Sequence, residues 1–187
     1  ENSMFKKIRY VLICLFVAFC SALIVKQHIF YPQPVQTQYD LHDVVSIGPL
    51  SLQVENVETY SVHDFSEKYQ LNLAEENLSE NDNVQVIMVS LSIENTGTDP
   101  EDVDVTSIQL STLDCMDSLE FISYKSLNPD YIPLTLEPDQ KVNVLLPYIE
   151  FGTLFGVKQG NLMDTIPLQL CYKLYPEKIT VRLNDLW

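Results

Sequence analysis

Four carboxylates crowd one short stretch of this chain: Asp99, Glu101, Asp102 and Asp104. Hard oxygen donors so close together on a loop and its following strand suit Ca²⁺. A second acidic group, Glu75, Glu76, Glu80 and Asp82, occupies a separate polar segment. Neither has EF-hand spacing or the glycine that such a loop needs, so the competing reading is a solvated acidic rim. The three histidines, His28, His42 and His63, form no H-x-x-x-H or H-E-x-x-H pair, which leaves a zinc enzyme without its ligand set. No G-x-S-x-G elbow occurs, and the five glycines build no phosphate loop. No catalytic residue and no cofactor is therefore expected, and Asp99, Glu101, Asp102 and Asp104 stand as the metal candidates.

Cysteine chemistry divides by location. Cys14 and Cys20 lie in an apolar run and read as small fillers. Cys115 and Cys171 are the two in the body; outside a cell they are free to form a disulfide. The alternative is a buried reduced thiol at Cys171, which sits in a strand-like alternation. Asn77, Leu78 and Ser79 make a formal glycosylation sequon, and Gly152 with Gly156 is spaced like a helix-dimer motif but reads as a loop. Tyr124, Tyr131, Tyr148, Phe151, Phe155 and Tyr172 are many aromatics for one domain, divided between core filling and an interface.

The elements that must position these residues begin with a run of sixteen uncharged residues, Tyr10 to Val25, that contains no proline or glycine. Lys6, Lys7 and Arg9 precede it and Lys26 follows. As a helix the run rises about 24 Å, short of a hydrocarbon core of roughly 30 Å, with Lys26, Ile29, Phe30 and Tyr31 able to complete the span at the far interface. The basic flank predicts that the N-terminus is cytoplasmic and the body extracellular. A cleaved signal peptide and a lipidated Cys20 are the competing readings, weakened by apolar residues continuing through Val25 and by the bulky Phe19. Met4 offers a natural start. Four pieces result: a basic tail over 1–9, a transmembrane anchor over 10–25, an extended stalk over 26–40, carrying Pro32 and Pro34, and a body over 41–187.

Charge separates in the same way. Of 187 residues with net charge −15, residues 1–26 carry +3 and residues 27–187 carry −18. So acidic a body repels phosphate backbones, which excludes nucleic acid as its partner. At 46% hydrophobic and 10% aromatic residues the chain is too apolar to be disordered.

From Leu41 onward the period is two. Leu50, Leu52 and Val54 alternate with polar residues, and Ile87, Val89, Leu91 and Ile93 alternate with Met88, Ser90, Ser92 and Glu94. Further strands are expected over 103–110, 119–124, 141–147, 167–174 and 178–183, separated by turns at Asn95–Pro100, Glu137–Gln140 and Tyr175–Glu177. Residues 63–80 break the pattern and suit a short helix in a long loop. Seven or so half-buried strands without a long helical period predict an all-β antiparallel sandwich.

These features, in this order, resemble the uncharacterised membrane-anchored, immunoglobulin-like extracellular proteins of Gram-positive bacteria, whose domains are of unknown function. The resemblance rests on the basic and apolar N-terminus, the opening strand Ile47–Val54, and the segments 89–97 and 103–110. It continues with Leu136–Asp139 leading into 144–148 and the closing 174–178, and covers most of 41–185. It implies an immunoglobulin-like sandwich outside the cell and supplies no catalytic residues. The function expected is a non-enzymatic binding or accessory module acting through protein contacts at the cell surface or in the membrane. A small-ligand or Ca²⁺ sensor is the alternative, and an envelope hydrolase the third.

Overall fold

The computed structural model describes residues 2–30, 35–71, 73, 83–112 and 115–186, with side chains omitted for helix residues 2–9, 11 and 27–30. Two units are distinct: residues 1–35 and 36–187. The first is one continuous helix, α1, Asn2–Phe30. Its large described apolar side chains, among them Leu12, Phe16, Phe19 and Ile24, are exposed, and Cys20 is half-buried. Among the described residues no helix is long and apolar enough to cross a membrane.

The second unit is mainly β. Its strands are β1 Val35–Tyr39, β2 Val44–Ile47, β3 Leu50–Ser61, β4 Val84–Asn95, β5 Glu101–Val103, β6 Gln109–Ser111, β7 Met116–Asp117, β8 Leu134–Leu136, β9 Lys141–Phe151, β10 Gln169–Lys173 and β11 Glu177–Arg182. One sheet has the order β1-β11-β10-β6-β7 and the other β2-β3-β4-β9, with β5 and β8 forming a small third pair. Leu110, Leu170, Tyr172 and Val181 from the first sheet share one core with Leu52, Ile87, Leu91, Val144 and Leu146 from the second. Period-two alternation makes this possible: each strand sends every other side chain inward, and the apolar area so removed from water drives the sheets together.

The second sheet is apolar on its outer face as well. Val86 and Met88 of β4 point away from the main core and are covered by α2, Val62–Tyr69, through Val62 and Phe65. Ser61 caps this helix by accepting from the Asp64 amide at 3.0 Å. Gln70, with φ +54°, ends it in the left-handed region. Phe65 packs between Tyr60 and Tyr69 at ring-centroid distances of 6.0 and 5.0 Å. The Tyr60 hydroxyl donates to Glu58 at 2.6 Å and contacts the Lys68 ammonium, so the polar end of the cluster is closed at the surface. The short helix expected within 63–80 is thus present at its N-terminal end; Glu75, Glu76, Glu80, Asp82 and the Asn77 sequon lie outside the described residues.

Three expectations need correction. Residues 119–124 are not a strand. Glu120 accepts from the amides of Ile122 (3.3 Å) and Ser123 (2.6 Å) and so starts α3, Phe121–Leu127. Segment 103–110 is broken because the Asp104 carboxylate accepts from Thr106 N at 3.0 Å and forms a 3₁₀ turn over Val105–Ser107. The proposed stalk over 26–40 does not hold either: residues up to Phe30 continue α1, and Val35–Tyr39 form β1 of the five-stranded sheet. Asp40 then pairs with Arg182 at the end of β11, Nε donating at 2.8 Å.

Candidate functional site

β7 closes one sheet, β9 closes the other, and the two lie against each other at one side of the sandwich. Along β9 the inward positions read Val142, Val144, Leu146 and Tyr148, all buried. The next inward position is Glu150, which is 1% exposed. Its Oε1 has no hydrogen-bond partner among the described residues. Across the gap stands Asp117 of β7, hydrogen-bonded to it. Burial, then the negative charge of Asp117, then that hydrogen bond push the Glu150 carboxyl up to about 8. At neutral pH Glu150 therefore holds its proton and donates to Asp117. Gln85, opposite Glu150 in the β4–β9 register, does not help. Its carboxamide donates to Asn83 Oδ1 (2.9 Å) and Gly160 O (2.6 Å) and accepts from Leu162 N (3.0 Å).

A cavity of about 420 Å³ is walled by residues that precede Asp117 and follow Glu150 closely in the chain. Thr112 and Cys115, just before β7, face Leu154, Phe155, Ile166 and Pro167 across it. Leu154 belongs to the 3₁₀ turn Gly152–Phe155 that follows β9. Gly152 is required there, since a Cβ would stand 2.4 Å from the Val157 carbonyl oxygen. Gly152 and Gly156 thus serve a loop, as the sequence suggested. Leu154 at the cavity wall is 69% exposed, and apolar side chains also face solvent on neighbouring elements: Ile122 at 75% exposure and Phe121 on α3, Met116 on β7 and Phe151 at the end of β9.

α3 holds the middle of this edge. Glu120 N donates to Pro147 O at 2.8 Å. The buried Asn128 carboxamide accepts from Leu145 N and donates to Leu145 O, both at 2.9 Å, in the manner of a neighbouring strand. Residues 145–147 of the edge are therefore satisfied by a helix and one side chain, not by a further strand.

The residues singled out by sequence separate in space. Asp104 caps its turn, Asp102 accepts from Thr135 Oγ1 at 2.7 Å, and Asp99 lies near Thr98 Oγ1 at 3.4 Å. Glu101 is half-buried on β5 opposite Leu136. Among the described residues no three His, Cys, Asp or Glu side chains gather as a metal group. Cys115 and Cys171 are both free. Cys171 on β10 is opposite Gln109 of β6, whereas Met116, the neighbour of Cys115, is opposite Ser111 of that strand. Two inter-strand spacings, about 10 Å, thus lie between the cysteines, beyond the roughly 7 Å limit for a disulfide. Burial pushes the Cys171 thiol up, and Cys115 is half-buried at the cavity. Of the aromatics, Tyr124, Tyr148 and Tyr172 are core, Tyr131 and Phe155 pack on it, and Phe151 is exposed at the edge.

Sequence reasoning passed over Glu150 and Asp117. A signal was present: an acid at the fifth inward position of an otherwise apolar alternation.

Residues 36–179 match the family model described as a domain of unknown function, DUF5028. The chain belongs to this family. The DUF5028 match begins within β1, takes in β2 to β10 and ends within β11, so the Gram-positive resemblance read from residues 41–185 holds at the level of the family. Similar solved structures also come from such bacteria. A conserved hypothetical protein of Bacillus anthracis is 13% identical, with 76% of this chain and 94% of that one covered and a TM-score of 0.49. An uncharacterised β-sandwich protein of Clostridium difficile is 12% identical over 80% and 96%, with a TM-score of 0.43. A candidate lipoprotein of Bacillus subtilis, YcdA, is 18% identical with a TM-score of 0.45; the match takes 75% of this chain but 38% of that one. No curated protein matches the chain.

Proposed function

We propose that this chain is a membrane-tethered, immunoglobulin-like binding or accessory module that acts through protein contacts outside the cell. The observation that carries the reading is an apolar cavity walled by the exposed Leu154, with Met116 of β7 and Phe121 and Ile122 of α3 exposed on elements that pack against β9. Interfaces are built on such aromatic and aliphatic anchors seated in pockets, and a monomeric surface gains nothing from displaying them.

In this reading α1 is the tether. Its 29 residues would rise about 44 Å, and residues 10–25 carry no charge. Lys6, Lys7 and Arg9 would hold the N-terminus in the cytoplasm, and the −18 body would face outward. Shaving intact cells with protease, followed by carbonate extraction, tests the topology: the body is cleaved from outside and the remaining helix stays with the membrane. A body protected in intact cells, or a chain released by carbonate, would contradict it. The docking reading is tested separately, by crosslinking from Leu154 in intact membranes.

A further inference from the structure

Among the described residues no basic side chain acts on Glu150, the buried member of the acid pair; its own burial and Asp117 do. Two carboxyls lie at one edge, one buried with an oxygen unpartnered among the described residues and one half-buried on a two-residue edge strand, and a cation complements such a pair by charge. The apolar cavity lies next to them in the chain. Cys115 at its wall precedes Asp117 by two residues, and Leu154 follows Glu150 by four.

We propose that the β7–β9 edge takes an extended partner segment in which an apolar side chain fills the cavity beside Leu154. A lysine or arginine two residues away then reaches the Glu150–Asp117 pair. This deepens the docking reading and rests on it. Two residues of extended chain span about 7 Å and return to the same face, so apolar and basic groups at that spacing both meet the edge. When the cation arrives, the proton shared by the two carboxyls leaves to solvent and an ion pair replaces it. A second copy of this chain is the poorer occupant, because its residues 27–187 also carry −18 and present the same acids.

The test pans a random 12-residue phage-displayed peptide library against the full chain in nonionic detergent at low salt. Selected peptides are then titrated against Asp117→Asn, Glu150→Gln and Leu154→Arg. The expected consensus is apolar–x–Lys/Arg. Binding should weaken at least about tenfold with Asp117→Asn, the usual consequence of removing one partner of a close charge pair at an interface. Calorimetry in buffers of different ionisation enthalpy should show proton release on binding, which Glu150→Gln abolishes. Glu150→Gln mimics the protonated acid in shape and keeps the test open if Asp117→Asn fails to fold. A consensus without a basic residue, or one indifferent to both acid variants, overturns this inference and leaves docking intact. No enrichment sensitive to Leu154→Arg removes both, and a concentration-dependent dimer blocked by Leu154→Arg gives the edge to self-association and overturns the inference.

Discussion

Glu150 of β9 is hydrogen-bonded to Asp117 of β7, so a carboxyl pair joins the edge strands of two different sheets. Glu150 sits where an apolar side chain would extend the core. The pair puts a titrating group inside the sandwich at the place where apolar side chains are also left in solvent.

The first consequence concerns pH. Glu150 titrates near 8 in the folded chain and near 4.5 when exposed. Below 4.5 both states are protonated and the group's contribution is intact. As pH rises from 4.5 to 8 the unfolded chain ionises and the folded one does not, so stability falls, by at most about 1.4 kcal/mol per pH unit. Urea denaturation between pH 5 and 9 should show this decline, and Glu150→Gln should flatten it while gaining on the native chain toward high pH. Equal slopes for the two proteins would contradict the assignment.

Asn128 is the second. Its carboxamide supplies both hydrogen bonds to Leu145 at the edge of β9. Asn128→Ala leaves a buried amide and carbonyl without partners, and should cost about 2–3 kcal/mol in the denaturation free energy. A loss under 0.5 kcal/mol would mean that water replaces the side chain freely.

Phe65 is fully buried and fixes α2 over the outer face of β4. Phe65→Ala should destabilise the body by roughly 3 kcal/mol and raise hydrogen exchange at Val86 and Met88, because the face beneath becomes wet. Unchanged exchange there would show that α2 is dispensable as a cover.

The thiols give a fourth check. With no reductant, iodoacetamide should modify Cys115 in the folded body, while Cys171 reacts only after unfolding. A body that takes up no label even when denatured would instead carry a disulfide.

These relationships were unevenly legible in the sequence. The long central strands announced themselves: alternation at 50–54, 87–93 and 141–147 gave β3, β4 and β9, because one face of each meets the main core. The ends of those strands were harder to see. β9 runs on to Phe151, and its inward Glu150 looks like an end of pattern until β7 supplies Asp117 from the other sheet. Phe121 and Tyr124 fitted a strand as well as a helix over so short a span, and only the Glu120 cap decided. β1 was hidden because Pro32 and Pro34 made its surroundings look like a stalk, whereas Thr37 and Asp40 meet Glu177 and Arg182 about 140 positions later. Pairing at that range leaves no local trace. The acidic run 99–104 misled in the opposite sense: close in sequence, its carboxylates serve a cap, a cross-strand bond and solvent.

The central claim is that the β7–β9 edge is the surface this domain uses. A photoreactive benzoylphenylalanine in place of Leu154, irradiated in intact membranes, tests it most directly, with Val44 on the edge strand β2 as the control position. A docking edge gives a discrete crosslinked species from position 154 and none from position 44. Identical patterns from the two positions, or no adduct from either, would contradict it.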